Sequence, residues 1–469
     1  MLFPTADFLL FFIVVVAAMV PLRAHYETRK LVLVLASYVF YAQWNWHFCL
    51  LLAFSSIVTF AAGRLIAAAS APKLGQRVAA AAVTVHLGIL CIFKYFDFFV
   101  GSFNDLAHRL GLEHDLPFVE IILPVGISFF TFHGISYVVD VYRGHVPVCR
   151  RLTEMLLYLS FFPQLVAGPI VRASFFLPQL YRAPRETLAL GPPLMLILGG
   201  LFKKVVVANY LATDLVDPVF FDPASFGTLD LLLAAYGYAI QIYCDFSAYS
   251  DMAIGLAALL GYRFPPNFDQ PYRAASLQEF WRRWHISLSS WLRDYLYKPL
   301  GGSRGGRWFT MRNLMITMLL GGIWHGAAWK FVAWGAIHGA GLVVERALQQ
   351  VPGHWAVSRP GRAVATIMVF HFVCLAWVLF RADSYDTALI YLTTAAKLVP
   401  GITQASPFTV CLIGLGLAMQ FVPGDLPRRI ALRLVAWPDW ILATASGLVV
   451  VAIDAMGPDG VAPFIYFQF

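Results

Sequence analysis

The sequence predicts an all-α, polytopic integral membrane protein, and three observations carry that prediction. Of the 469 residues, 59% are apolar and only 13% charged, too few polar groups to cover a water-soluble globule. Mean hydropathy is +0.70. Apolar runs recur along nearly the whole chain, each near the roughly 20 residues that cross ~30 Å of hydrocarbon as a helix.

The runs fall near residues 7–22, 31–44, 47–69, 78–101, 119–141, 152–170, 190–212, 228–262, 312–323, 326–348, 362–382, 405–423 and 437–456. The first, Phe8 to Leu22, lacks a preceding basic residue and a small-residue cleavage site, so it is expected to remain as a span instead of being removed as a signal. Two others look re-entrant. Arg312 to Ile323 is short and carries Gly321 and Gly322, and Leu152 to Ile170 is broken by Pro163, Gly168 and Pro169; such backbone survives at membrane depth only where protein or water lines it. The pattern gives roughly 10 to 12 spans with re-entrant and interfacial helices beside them. No internal repeat or soluble insert is visible, so residues 1–469 are expected to form one membrane domain.

Formal net charge is +8, and the six cysteines stand singly with no CxxC pair. Disulfides, structural zinc and other metal sites are therefore not expected. On a soluble chain this basic balance would suggest nucleic acid, but here it marks loops on the cytoplasmic side of spans. Arg23, His25, Arg29 and Lys30 sit between the first two runs, and Arg64, Lys73 and Arg77 flank the next connection. Placing both groups inside puts the N-terminus in the periplasm and requires residues 31–69 to cross twice. The largest basic stretch, residues 263–312, holds nine Lys and Arg against three acidic residues and is also assigned to the cytoplasm.

That stretch carries the candidate chemistry. Read as one helix, Leu277 to Leu296 places Phe280, Trp281, Trp284, Leu288, Trp291, Leu292 and Tyr295 on one face, with Arg282, Arg283, Arg293 and Asp294 largely opposed. This suits an interfacial helix whose arginines meet lipid headgroups or an anionic ligand. His285 shares the apolar face, either as a packing histidine or as a functional one. The loop Leu300-Gly-Gly-Ser-Arg-Gly-Gly-Arg307 is either a basic turn or an anion cradle; it matches no phosphate-binding fingerprint.

Next comes Leu319-Leu-Gly-Gly-Ile-Trp-His-Gly-Ala-Ala-Trp329, which sets His325 between two apolar segments. An ionisable group at membrane depth is costly and marks a functional site by default. Gly321, Gly322 and Gly326 strip bulk from its surroundings and admit a thin substrate or another backbone. If the helix continues, His338 lies about 20 Å further along, too far to share the site. A second polar cluster, Gln241-Ile-Tyr-Cys-Asp-Phe-Ser-Ala-Tyr-Ser-Asp251, contains Asp245 and Asp251. These carboxylates are expected to orient a histidine, pair with an arginine, or lock helices together.

These residues together resemble the membrane-bound O-acyltransferases, and within them the alginate-acetylating branch. The likeness rests on Leu123-Pro-Val-Gly-Ile-Ser-Phe-Phe, on Gln241 to Gly255, on Glu279-Phe-Trp-Arg-Arg-Trp-His-Ile-Ser-Leu-Ser-Ser-Trp-Leu-Arg-Asp-Tyr-Leu-Tyr297, on Leu320-Gly-Gly-Ile-Trp-His-Gly326, and on the terminal Phe464-Ile-Tyr-Phe-Gln-Phe469. It implies a helical membrane fold around a central funnel, a catalytic intramembrane histidine at His325 and an upstream partner at His285. Many members of the wider family carry Asn or Asp at that upstream position.

The expected activity is O-acetyl transfer from cytoplasmic acetyl-CoA, across a bacterial inner membrane, toward an extracytoplasmic polysaccharide such as alginate or cellulose. His325 serves as general base, a contribution typically of ~10² to 10⁴-fold. Arg282, Arg283, Arg293, Arg304 and Arg307 draw in the phosphate-bearing donor, while Asp245, Asp251 and Trp324 give polar and structural support. No bound cofactor is expected. Family resemblance implies a separate periplasmic acetyltransferase as partner, since no Gly-x-Ser-x-Gly elbow or soluble glycan-acting domain occurs in the sequence. The scheme requires His325 to be reachable from both faces. Competing readings are a polysaccharide or proton-coupled transporter using the same polar residues, and an acyltransferase acting on teichoic acid or lipid.

Overall fold

In the computed structural model, the described residues are 3–22, 24–112, 116–119, 121–166, 168–181, 190–348 and 358–458, and all their regular structure is helical. Arg23 and the terminal Phe464 to Phe469 motif lie outside them. The chain runs α1 (Ala6–Met19), α2 (Tyr26–Asn45), α3 (His47–Ala67), α4 (Pro72–Arg109), α5 (Ile127–Tyr142), α6 (Leu152–Ser160), α7 (Phe162–Leu165), α8 (Ala173–Leu180), α9 (Gly191–Phe202), α10 (Asn209–Leu211) and α11 (Asp217–Phe221). It continues with α12 (Thr228–Leu259), α13 (Leu277–Arg283), α14 (Ile286–Leu292), α15 (Arg307–His325), α16 (Trp329–Leu348), α17 (Arg359–Arg381), α18 (Tyr385–Ala396), α19 (Pro407–Ala418), α20 (Leu426–Leu434) and α21 (Asp439–Met456).

Among the described residues, five helical stretches are long and apolar enough to cross a membrane: His47–Ala67, Pro72–Arg109, Gly191–Phe221, Pro360–Arg381 and Asp439–Met456. Ala6–Met19 and Pro407–Phe421 are shorter apolar helices. Residues 31–69, which charge placement required to cross twice, form two helices parted at Trp46. The prolines and glycine of residues 152–170 do break that run, leaving only α6 and the single turn of α7. Residues 312–323, by contrast, belong to the 19-residue α15. The short-run expectation missed the first turn because Arg307 and Arg312 are polar.

Polarity is distributed as a lipid solvent demands. Leu9, Leu10, Ile13 and Val14 of α1, Ile367 and Met368 of α17, and Leu448 and Val451 of α21 are exposed, whereas Lys204, Asp245, His285 and Asn313 are buried. In water the exposed faces would form an aggregation-prone apolar surface; in a bilayer they meet acyl chains while charged groups hide in protein.

The backbone divides into two compact units, Met1–Leu188 with Ala257–Pro265, and Ala189–Leu256 with Pro266–Phe469. In the first, small residues allow close helix packing. A Cβ on Gly134 of α5 would lie 2.4 Å from the His86 ring, and one on Gly63 of α3 would lie 2.6 Å from the Tyr137 hydroxyl. A buried ion pair, Lys30 with Glu154 at 2.9 Å, ties α2 to α6. Gly126, in the Leu123-Pro-Val-Gly motif, opens α5 in a left-handed conformation (φ 74°). The second unit holds every candidate site residue.

Candidate active site

The site is built on a helical hairpin. The α15 helix ends at His325, residues 326–328 reverse the chain, and α16 returns antiparallel along α15. Glycine decides how closely. A Cβ on Gly322 would stand 2.3 Å from the Phe331 carbonyl oxygen, one on Gly335 2.5 Å from the Met318 carbonyl oxygen, and one on Gly326 2.0 Å from the Phe331 ring. Of the two uses foreseen for these glycines, the structure shows backbone contact between helices.

The reversal corrects the expectation for His338. A continuous helix would have carried it far from His325, but the break at Gly326 folds α16 back. One indole now separates the two histidines: Trp334 lies 5.0 Å from His325 and 4.7 Å from His338, ring centre to ring centre. Trp324 and Phe380 complete the wall around His325 at 4.9 and 5.2 Å. The His325 side chain is buried, with 4% of the residue exposed.

His285 reaches the same cluster from a second direction. The stretch expected as one helix, 277–296, is broken: α13 stops at Arg283, α14 starts at Ile286, and the turn continues as a π-helix over Arg293–Tyr297. His285 sits at the break with φ 42°, a left-handed conformation costing a non-glycine residue roughly 1–2 kcal/mol. Neighbouring backbone holds it there, because Ile286 N–H donates to the Asn267 carbonyl at 2.8 Å and Asp269 N–H to the Arg283 carbonyl at 2.9 Å. The imidazole is fully buried, 4.5 Å from the Phe246 ring and 6.2 Å from the Trp324 ring. Burial pushes its pKa down to about 3, so it is neutral at physiological pH. Trp324 thus stands between His285 and His325.

Asn267 was not singled out from sequence. Its Oδ1 accepts from Ser287 N–H at 3.1 Å and Ser287 Oγ–H at 2.8 Å, lies 3.2 Å from His285 Nδ1, and its Nδ2 donates to Ser250 Oγ at 3.0 Å. The only hint was an amide in a proline-rich loop, Pro265-Pro-Asn267, and loop amides are common.

A cavity of about 370 Å³ opens between α13–α14 and the α15–α16 hairpin. Arg282, Arg293, Arg346, Glu345, Trp281 and Tyr297 are among its lining residues. Glu345 accepts from the Leu277 N–H at the start of α13, at 2.6 Å, and Arg293 is held by Asp294 through Nε at 3.0 Å and Nη2 at 3.1 Å. Of the expected donor-binding arginines, the structure brings Arg282 and Arg293 here. Arg283 instead fastens Asp269 at 2.7 Å and Glu279 at 3.0 Å. Arg304 and Arg307 are exposed on the glycine loop, which is pinned as a turn by Asn313 Nδ2 donating to the Gly302 carbonyl at 2.9 Å.

The cavity and the histidine cluster share one residue. Trp281 lines the cavity and packs 5.1 Å from His338 and 5.8 Å from Trp334. His325 does not line that cavity: Trp334 packs against His325, and Trp281 packs against Trp334.

Asp245 and Asp251 stand apart from this cluster. Each meets a lysine, Asp245 with Lys204 at 2.9 Å and Asp251 with Lys203 at 2.6 Å. Both lysines lie in a π-helical segment, Lys203–Ala208. Of the roles expected for these carboxylates, the inter-helix lock describes them, with lysine rather than arginine as counter-ion. Among the described residues, no group of three His, Cys, Asp or Glu side chains is placed to hold a metal.

Comparison with known proteins shows what the chain is similar to. The profile described as MBOAT, membrane-bound O-acyltransferase family, matches residues 149–381, which include both histidines and the cavity. A probable alginate O-acetylase AlgI of Azotobacter vinelandii is 44% identical over 365 residues, covering 77% of this chain and 71% of that protein. The Pseudomonas fluorescens protein of the same name is 40% identical and covers 94% of each. A peptidoglycan O-acetyltransferase of Helicobacter pylori is 35% identical, over 81% of this chain and 75% of that protein.

Proposed function

Because this chain belongs to the membrane-bound O-acyltransferase family, we propose that it moves acetyl from cytoplasmic acetyl-CoA through the bacterial inner membrane for O-acetylation of an extracytoplasmic polysaccharide. It is a multi-pass membrane protein and an O-acyltransferase. The relatives' names support alginate or a similar polymer as the final acceptor. One observation carries the reading: Trp281 lines the arginine-bearing cavity and packs against His338 and Trp334, and Trp334 in turn packs against His325.

Coenzyme A carries phosphates that cannot enter hydrocarbon, so its nucleotide end stays at the cytoplasmic cavity, paired with Arg282 and Arg293. The acyl arm passes Trp281 when that ring and Trp334 shift. His325 then takes the proton from an acceptor hydroxyl while the hydroxyl oxygen attacks the thioester carbonyl. The C–S bond breaks, and the imidazolium returns the proton to the leaving thiolate. Enclosure by Trp324, Trp334 and Phe380 keeps water from competing for the acyl group. The immediate acceptor is a hydroxyl of a periplasmic acetyltransferase partner or of the glycan.

A proton-coupled transporter would need titratable carboxylates along a pathway, but Asp245 and Asp251 are already ion-paired with lysines. The test is release of free coenzyme A from acetyl-CoA by the purified protein in detergent. Slow release in the wild type, lost in His325→Ala with an unchanged melting profile, supports the reading. Equal release in both removes His325 from the chemistry.

A further inference from the structure

We infer that Asn267 is a positioning residue that fixes His285 as the Nδ1–H tautomer, leaving Nε2 as an inward-facing acceptor for a substrate O–H or N–H. The inference rests on the reading of His285 as part of the acyl-transfer site.

The argument begins with an atom whose role is not adjustable. The backbone N–H of Ser287 can only donate, and it points at the terminal amide atom of Asn267 at 3.1 Å. That atom must therefore be oxygen, which also leaves Nδ2 to donate to Ser250 Oγ. An amide oxygen can only accept. His285 Nδ1 lies 3.2 Å from the same oxygen and 3.4 Å from Ser287 Oγ, whose hydrogen goes to the shorter 2.8 Å bond with Asn267 Oδ1; an unprotonated Nδ1 there would oppose lone pairs in a buried site, whereas Nδ1–H makes a hydrogen bond. In neutral imidazole one nitrogen carries the proton, and the bond made by one fixes the state of the other. Nε2 is therefore the lone-pair nitrogen.

The surroundings agree. Asn267 is 1% exposed and Ser287 6%, so no bulk water competes for Nδ1. His285 Nε2 is buried and has no hydrogen-bond partner among the described residues. Its ring neighbours are Phe246, Phe268 and Trp324, of which the two phenylalanines carry no polar atom in the side chain. An unsatisfied buried acceptor is costly, and a substrate hydroxyl or amide N–H arriving at the cluster would satisfy it. The left-handed backbone at His285 and the two main-chain bonds to residues 267–269 set the ring at this angle.

The experiment uses the full-length protein in detergent with acetyl-CoA, comparing wild type with Asn267→Ala, Asn267→Asp and His285→Gln. The carboxylate of Asn267→Asp still accepts from Ser287 N–H and His285 Nδ1–H, so it should retain most turnover. Asn267→Ala should lower kcat by about 10- to 100-fold, within the range of a mispositioned acid–base group, with KM for acetyl-CoA little changed. In protein labelled with ¹⁵N at histidine, the resonances lost in His285→Gln should report a protonated Nδ1 and an unprotonated Nε2. An Nε2–H tautomer in the wild type overturns the inference. So does an equal kcat loss in the Ala and Asp variants that follows only their folded fraction. Full turnover in His285→Gln overturns it by removing His285 from the site. If the wild type shows no turnover at all, acetyl transfer fails as a reading, and the spectrum alone still decides the tautomer.

Discussion

Gly335→Ala puts the hairpin that carries His325 under a defined strain. The added Cβ would lie 2.5 Å from the Met318 carbonyl oxygen and 3.2 Å from Leu319 Cα, where ordinary contact begins near 3.4 Å. Both are backbone atoms, so no rotamer change relieves the clash, and α15 and α16 must part by most of an ångström. Overpacking of this kind costs about 1–3 kcal/mol; the usual helix-interior gain of Gly→Ala returns roughly 0.5–1 kcal/mol. The expected net loss is about 1–2 kcal/mol, seen as a lower melting temperature in detergent. Activity should fall further than stability, because Trp334 precedes Gly335 and an ångström of misplacement at a reacting centre can cost ~10²-fold. Gly447→Ala is the control: its Cβ would meet nothing within 4 Å, so it should be neutral or slightly stabilising. If Gly335→Ala melts and turns over like Gly447→Ala, the close hairpin is refuted.

Three further outcomes follow from the site. Arg282→Gln and Arg293→Gln should each raise KM for acetyl-CoA about tenfold with little change in kcat, the loss expected for one charge-assisted bond of ~1.4 kcal/mol; Arg304→Gln and Arg307→Gln, outside the cavity, should stay within about twofold of wild type in steady-state kinetics. Glu279 should stabilise in a pH-dependent way. Burial raises its carboxyl, but the Ala275 N–H and Arg283 outweigh burial and hold its pKa below the ordinary 4.5. The carboxylate's stabilisation is therefore complete above pH 4.5 and lost as pH falls through the lower folded value, so Glu279→Gln should melt below wild type at pH 7 while the two converge in acid.

Much of the fold was legible because bilayer physics writes itself into composition: apolar runs, basic loops and proline breaks foretold the helices and the division of residues 152–170. His325 was legible for the same reason, as an ionisable group between apolar segments. Other features were not. Nothing local marks a non-glycine residue at positive φ, so the break at His285 was read through as helix. The turn after His325 had a signal in Gly326-Ala-Ala328, yet glycine in a membrane helix is common enough that a continuous helix was the default, and His338 was wrongly set apart. Lys203 and Lys204 sat inside an apolar run, an intramembrane cation signal that would have supplied partners for Asp245 and Asp251. Asn267 is brought beside His285 by the main-chain pairing of residues 267–269 with 283–286, a contact that no periodicity encodes.

Transfer through the bilayer by His325 is the central claim, and sidedness tests it most directly. The protein is reconstituted into sealed vesicles with acetyl-labelled acetyl-CoA outside, and a hydroxyl-bearing acceptor, a polysaccharide or the periplasmic acetyltransferase, enclosed within. The account predicts label on the enclosed acceptor in wild-type vesicles and none above background in His325→Ala vesicles holding the same amount of folded protein. Equal labelling in the two, or labelling only when donor and acceptor share one compartment, would contradict it.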